Sequence, residues 1–486
     1  MSEPRYELVV GIEVHLQLRT RTKMFCSCPN DFHAEPNTLV CPVCLAEPGA
    51  LPVINAEAYR LAILAARSLG AEVNRNTSFD RKNYFYPDLP KGYQITQFFH
   101  PIAKGGGIEI PATGGGMRNV RLQRIHIEED SGKMTHQDSL GESWLDFNRA
   151  GVPLIEIVTE PDIRSADEAH AYLSELRLLM RHLRVSDCEM QEGSLRCDLN
   201  INLRFPELNK ATAISEVKNL NSFSQVRECI KAEESRQLSD FVNKGATKDN
   251  TKKATFGWDE AAGKTVLQRT KEGLADYRYF PEPDLPPFHI TDALMSRIPL
   301  YESPRSAERR LREALGLEPY HASVLVQAGP DLVGAIDALV HLGHDPVSVG
   351  NLLTNEVLEI MNSKQVDFAS LGLTTPRLSD LMGMITRKEF SMRVARQVLA
   401  LMVEESADAS DVIQRHGLKQ VDDTSELEAH CHSVIREFPK AAADFKSGKA
   451  NALNGLMGRV MQRTQGKANP QIIKDKLIEF LSGGHD

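Results

Sequence analysis

Three stretches of the chain alternate between apolar and polar side chains, and in each the polar set carries carboxylates. In ELVVGIEVHLQLRT, Leu8, Val10, Ile12, Val14, Leu16 and Leu18 share one face, while Glu13, His15 and Gln17 share the other. In RLQRIHIEED, the same period places Arg124, His126, Glu128 and Asp130 together and leaves Ile125, Ile127 and Glu129 opposite. In GSLRCDLNINLRF, Leu195, Cys197, Leu199, Ile201 and Leu203 part from Ser194, Arg196, Asp198, Asn200 and Asn202. A mainly antiparallel sheet with one buried and one wet face would produce such strands. A solvated sheet surface is the simplest reading of the wet face. Glu-x-His and Asp-x-Asn are, however, oxygen and imidazole ligands suited to a divalent ion. Two carboxylates about 4 Å apart repel by about 4 kcal/mol at an effective dielectric near 20, so converging faces would need a cation or a raised pKa. Mg²⁺ with substrate phosphates is the natural candidate.

The rest of the chain sets the frame. Its 486 residues, 41% hydrophobic and 25% charged, suit a globular protein of several domains. The polar start MSEPRYEL and the lack of a long apolar run predict a cytoplasmic protein with no membrane span. A net charge of −9 gives the whole molecule no basic field for nucleic acid. Up to about residue 290 the pattern is period two with Gly-rich turns, KGGG at 104–107 and TGGG at 113–116. Helices interrupt it near 55–69, 165–183 and 223–243. Proline-rich FPEPDLPPFHI then leads into helical periodicity. The expected fold is α+β, with a cradle-like sheet domain over 1–295, an all-α helical domain over 296–406 and a small all-α tail over 407–486.

Cys26, Cys28, Cys41 and Cys44 lie in CSCPNDFHAEPNTLVCPVC, a spacing that can surround one tetrahedral Zn²⁺. The first pair has one spacer residue where two are usual, and free or redox-active thiols are the alternative. Cys188, Cys197, Cys229 and Cys431 are scattered and read as buried thiols. A closed four-Cys site has no open coordination position and does no chemistry. AAGKT at 261–265 lacks the upstream glycine of a phosphate-binding loop, because Trp258 stands there, and reads as a hairpin tip. Among the cysteines none sits in a Gly-flanked nucleophile turn, and there is no Gly/Ser-rich amidase run. Amide hydrolysis would need another chain.

LDFNRAGVPLIE at 145–156 resembles the signature of the B subunits of aspartyl/glutamyl-tRNA amidotransferase. VGIEVHLQL, KMFCSCP, CPVCLAEPGALPV, RKNYFYPDLPKGYQI, HIEEDSGK, EVKNLNSF and DYRYFPEPDLPP are similar to that family's blocks in the same order. Ala46 stands where a glycine is common, and TKE at 270–272 replaces a usual SKE; both bear at most on turn conformation. The resemblance implies a glutamine-dependent carbon–nitrogen ligase acting on Glu-tRNA(Gln) or Asp-tRNA(Asn). ATP and Mg²⁺ would phosphorylate the side-chain carboxylate, and ammonia from a separate amidase subunit would displace the phosphate. A third, small subunit would complete a heterotrimer.

Carried over by position, Glu13, His15 and Glu128 become the Mg²⁺ ligands, with Glu129 and Asp198 as neighbours. Arg196 and Lys218 become phosphate partners, with structural salt bridges as the alternative, and Arg149 serves the nucleotide or braces the sheet. Tyr84, Tyr86, Lys91 and Tyr93 suit a single-stranded tRNA end, although core packing would also explain the tyrosines. From Lys440 to Lys476, eight basic residues, among them Lys446, Lys449, Arg459, Arg463 and Lys467, face only Asp444 and Asp475. This module would grip the tRNA body through its phosphates; a solvated helical face is the alternative. Two other functions fit parts of the pattern, a metal-dependent phosphohydrolase and a non-catalytic zinc-bearing tRNA-binding protein.

Overall fold

The computed structural model describes residues 4–137, 141–270, 277–387, 389–390, 392–418, 424–449, 451–464, 468 and 470–482. The chain forms two compact units, Met1–Ser303 and Pro304–Asp486. The alternating segments form the centre of the first. Its principal strands are β1 (Glu7–Gln17), β2 (Asp80–Asn83), β3 (Tyr93–Thr96), β4 (Met117–Glu129), β5 (Pro153–Thr159), β6 (Leu195–Phe205), β7 (Ser215–Lys218), β8 (Ala254–Asp259) and β9 (Lys264–Thr270). They lie in the order β9-β8-β7-β6-β1-β5-β4-β3-β2 within one large sheet. Neighbours run antiparallel except β7 and β8, which run parallel.

Three helices cover the apolar side: α1 (Ala56–Ser68), α2 (Ala166–His182) and α3 (Phe223–Lys244). Each starts on a residue whose side chain accepts backbone N–H groups, namely Asn55, Ser165 and Ser222. Val10, Ile12, Val14 and Leu16 of β1 share one core with Ile125 and Ile127 of β4, Ile155 and Ile157 of β5, and Leu195, Leu199 and Ile201 of β6. Leu61, Ile63, Tyr172, Leu173, Leu176, Val226 and Ile230 close it from the helices. Burial of this face is the main stabilising term of the unit, and it fixes the register. A slip of one residue would turn Glu13 and His15 into the core.

Glycines supply the turns that no side chain could make cheaply. Gly114, Gly115 and Gly116 all have positive φ at the tip between Gly107–Pro111 and β4. The AAGKT stretch is the β8–β9 hairpin tip, with Gly263 at φ 59°.

The second unit is helical, as expected from the switch in periodicity, and proline punctuates it. Helices Pro319–Ala328, Pro330–His341, Pro346–Asn351 and Pro439–Lys446 each carry Pro in the first turn, where its missing N–H costs nothing. The helix Ala409–His416 packs on Thr375–Thr386 and Met392–Glu404. A separate core begins at Leu427 and gathers Cys431, Val434, Leu453, Leu456, Val460, Ile473 and Leu477. The architecture is α+β: a large, mostly antiparallel sheet unit followed by an all-helical unit. Among the described residues no helix is long and apolar enough to cross a membrane.

Candidate active site

Antiparallel pairing converts the polar faces into a cross-strand row. His15 of β1 lies opposite Arg196 of β6 on one side and Glu156 of β5 on the other, and Glu156 lies opposite His126 of β4. Glu13 faces Asp198 across the β1–β6 pair. His15 Nδ1 is 3.3 Å from Glu128 Oε1 and 3.8 Å from Glu156 Oε2, while His126 Nε2 is 3.6 Å from Glu128 Oε2 and 3.3 Å from Glu156 Oε2. Thr96 Oγ1 of β3 donates to Glu128 Oε2 at 3.2 Å. One ligand atom each from His15, Glu128 and Glu156 fall within 4.8 Å of one another, a spacing compatible with a shared cation. Two carboxylates and an imidazole make a donor set that fits Mg²⁺ with open positions left for water and phosphate.

The local field shows how tightly these groups interact. Burial alone would neutralise Glu156, yet the charge and hydrogen bond of His126 and the charge of His15 hold its carboxyl down at about 2. Glu128 is likewise held well below the usual carboxylate range by His126 and His15 against the push of burial. Burial opposes protonation of His126, but Glu156 and Glu128 outweigh it and raise the imidazole to about 9. Burial opposes protonation of His15 as well, and its hydrogen bond to Glu128 together with the charge of Glu156 raises it nonetheless. Glu13 moves the other way from its fellow acids, pushed up by burial and by the neighbouring charges of Glu156 and Asp198.

The cleft around the cluster measures about 230 Å³ and its lining is rich in cations. Lys82, Arg124, Lys218, Lys253 and Arg269 line it together with Tyr277 and Tyr279. Lys218 is bonded to Asp198 and lies 3.2 Å from Glu216, so Asp198 meets an ammonium before it meets any ion. Glu13 lines the same cleft and accepts from Asn200 Nδ2 at 3.0 Å. Carboxylates and cations lining one cleft would suit a divalent ion together with the phosphate oxygens it neutralises.

The other candidates named from the sequence fall into separate neighbourhoods. Glu129, one residue from Glu128, turns to the opposite side of β4, pairs with Lys91 at 2.6 Å and accepts the Ile95 N–H at 2.9 Å. Arg149 and Arg196 line a second cavity of about 310 Å³ with Gln17, Asn148 and Lys133. Both reach Asp130, Arg196 at 2.9 Å and Arg149 at 3.6 Å, and Arg149 also donates to the Ser131 and Gly132 carbonyls. Tyr84 meets Tyr277 edge-on at 6.1 Å, beside the cleft. Tyr86 is exposed, and Tyr93 lies beneath the Arg81 guanidinium at 4.1 Å.

The sequence pattern does not single out Glu156 or, as a site residue, His126. Glu156 is the lone acid in the apolar run PLIEIV, and that isolation is the available signal. Lys82 escapes it too; burial works against its charge, but Glu128 and its neighbours hold the ammonium above the ordinary lysine range.

The four clustered thiols also converge. Sγ atoms of Cys26, Cys28, Cys41 and Cys44 lie within 4.8 Å of one another, so this group could hold a metal ion. A hydrogen bond from Cys26, opposed by burial and aided by the Cys41 N–H and Lys23, lowers Cys44 to about 4. Burial first, then hydrogen bonding with Cys41, raises Cys28 to about 11. An all-sulfur set of this size fits Zn²⁺ and leaves no position for substrate. The other four cysteines are buried. Ala46, just beyond the CPVC knuckle, has φ 61°, the left-handed conformation that favours glycine.

In the helical tail the basic side chains are partly spoken for. Lys449 pairs with Asp444 at 3.0 Å, Arg463 bonds Glu437 and Ser433, and Arg459 stacks on Phe438 at 5.0 Å. Lys446 is exposed. Lys467 lies outside the described residues.

Residues 8–296 match the family described as the GatB/GatE catalytic domain, and residues 335–481 match the GatB domain. The chain is 40% identical over 481 residues to the second B subunit of aspartyl/glutamyl-tRNA(Asn/Gln) amidotransferase from Clostridium acetobutylicum, covering 98% of this chain and 99% of that one. It is 42% identical to the corresponding B subunit of Rhodopirellula baltica over 98% of this chain and 96% of the other. The B subunit of Symbiobacterium thermophilum is also 42% identical, over 99% of both chains.

Proposed function

Because the chain belongs to the family of B subunits of aspartyl/glutamyl-tRNA(Asn/Gln) amidotransferase, we propose that its sheet cleft activates the misacylated amino acid. It is the ligase subunit that converts Glu-tRNA(Gln), Asp-tRNA(Asn) or both into the amidated form. The side-chain carboxylate of the charged tRNA takes the γ-phosphoryl group of ATP, giving an acyl phosphate and ADP. Ammonia then displaces phosphate to leave the amide. The ammonia comes from the amidase subunit, with a third, small subunit completing the assembly.

One observation carries the placement of this chemistry. His15, Glu128 and Glu156 offer ligand atoms within 4.8 Å of one another on a cleft whose lining is rich in cations. They would hold Mg²⁺, which when bound supplies charge neutralisation at the nucleotide phosphates. His126 orients both carboxylates from the far side, its Nε2 within 3.6 Å of each. Lys218, Lys253 and Arg269 would receive phosphate oxygens, and Glu13 and Asp198 would complete the acidic lining. Arg149 and Arg196 would anchor the neighbouring part of the nucleotide or tRNA end in the second cavity, and Tyr84, Tyr86, Lys91 and Tyr93, which lie outside that cavity, would meet the tRNA end elsewhere on the sheet unit. Glu129 braces Lys91. Cys26, Cys28, Cys41 and Cys44 would hold a structural Zn²⁺, and the tail would bind the tRNA body through Lys446, Lys449, Arg459, Arg463 and Lys467.

The decisive assay supplies misacylated tRNA, ATP and glutamine to the chain with and without an amidase partner. Amidated aminoacyl-tRNA is expected only in the partnered sample, dependent on Mg²⁺ and lost on Glu128→Ala. Product from this polypeptide alone with glutamine as the nitrogen source would overturn the division of labour. Steady phosphate release without charged tRNA would favour a phosphohydrolase instead.

A further inference from the structure

Lys23 is fully buried, with its side chain among the largest in the interior. A buried ammonium normally finds a carboxylate, because an uncompensated charge in a low-dielectric interior is strongly unfavourable. Among the described residues no carboxylate reaches Lys23. Its Nζ has two neighbours able to accept, Cys44 Sγ at 3.6 Å and the Phe147 carbonyl at 3.2 Å. The nearby acid Glu129, which lines the same small cavity, is committed to Lys91 at 2.6 Å and to the Ile95 N–H. Among the described residues, the sulfur of Cys44 is thus the sole acidic group in reach of the Lys23 ammonium.

Resting on the reading of the four cysteines as a zinc centre, we infer that Lys23 is that centre's built-in counter-ion and its link to the signature loop. A zinc ion in four thiolates carries a formal net charge of about −2, and burying it calls for a compensating cation. Lys23 halves that charge from inside the protein. The backbone supports the arrangement: the Lys23 N–H donates to the Cys28 carbonyl at 3.0 Å, and the Met24 N–H donates to the Gly151 carbonyl at 2.7 Å. The ammonium's second bond, to Phe147, ends two residues before Arg149, so one side chain joins the thiolate cluster to the loop that positions that arginine. The dependence runs both ways. Metal binding fixes Cys44 as a thiolate and neutralises Lys23, while Lys23 keeps the metal from leaving.

The test compares the full chain with Lys23→Met, Lys23→Arg, Cys28→Ser, Cys44→Ser and the Lys23→Met/Cys44→Ser double variant. Zinc content, zinc release to a chromophoric chelator, the absorption spectrum after Co²⁺ substitution, and the thermal midpoint are measured. Wild type holding no stoichiometric zinc and giving no tetrahedral sulfur–cobalt bands would refute the zinc reading itself. With that reading intact, Lys23→Met should keep the four-sulfur cobalt spectrum and release zinc at least about ten-fold faster, the size of effect seen when outer-shell partners of metal ligands are removed. Lys23→Arg should restore slow release. Cys44→Ser should lower the midpoint more than Cys28→Ser, although each removes one ligand, and adding Lys23→Met should recover part of that loss. Unchanged release from Lys23→Met overturns the inference. Should Lys23→Met not fold, equal midpoints for Cys28→Ser and Cys44→Ser overturn it, and a lower midpoint for Cys44→Ser upholds it.

Discussion

At the scale of single residues, the site turns on Glu156. Its Oε2 is the carboxylate oxygen that both histidines approach, 3.8 Å from His15 and 3.3 Å from His126. Glu156→Gln keeps the shape and removes the charge. Mg²⁺ affinity, followed by titration of the partnered complex, should fall by at least about 100-fold, with amidation falling alongside while glutaminase activity persists. Unaltered Mg²⁺ binding would remove Glu156 from the ligand set. A second residue-scale expectation concerns Ala46, held at φ 61°. Ala46→Gly should stabilise the chain by about 1 kcal/mol, read as a higher denaturant midpoint, because the left-handed strain of a Cβ outweighs the added freedom of the unfolded glycine. The contrast between Glu128 and Glu156 shows what a strand pattern can and cannot convey. Period two alone separates Glu128 from Glu129. The face taken by Glu156 in PLIEIV depends on pairing with β1, a contact 141 residues away in sequence, and no local pattern carries it. Lys23 is silent for a related reason, since nothing in a lysine's neighbours announces that it is buried.

At the scale of elements, α3 is tied to the sheet edge by a buried carboxylate. Glu233 accepts from Arg236, from Gln237 Nε2 at 3.0 Å and from the Thr265 hydroxyl of β9 at 2.8 Å. Burial pushes its pKa up, but the Arg236 guanidinium outweighs that and leaves it lowered. A lowered carboxyl contributes stability that is fully present above the unfolded value of about 4.3 and is lost as pH falls through the folded value. Glu233→Gln should cost about 2 kcal/mol near neutral pH and flatten the decline in stability below about pH 4.3, as urea unfolding at several pH values would show. An equal loss at every pH would assign the effect to packing. The strands and the three covering helices are legible because amphipathic period and polar caps agree at each; this tether is not, because it joins elements distant in the chain.

At the scale of the whole molecule, the chain is acidic overall, and within the tail the stretch 440–476 carries a local excess of eight basic side chains over two acidic ones. Side-chain pairing discounts that charge unevenly: Arg463 is engaged by Glu437, while Lys446 is exposed and Arg459 rests on an aromatic ring. The Lys446→Ala/Arg459→Ala variant should reduce the salt dependence of tRNA binding by about 1 to 2 in the log–log slope. Arg463→Ala should change it less, and the reverse ranking would move the nucleic-acid surface to another part of the tail. The helical nature of this unit is plain from its periodicity, whereas the division of its basic residues between internal pairs and solvent requires the packed structure.

The first unit wears its three covering helices on the apolar side of the sheet, with the metal-competent cluster on the reverse. A mixed anhydride made on such an open floor is as reachable by solvent as by the intended amine. Fidelity of nitrogen transfer therefore depends on what the bound tRNA terminus and a neighbouring protein chain shut out, and with charged tRNA present but that chain missing the cost would appear as nucleotide consumed with nothing amidated.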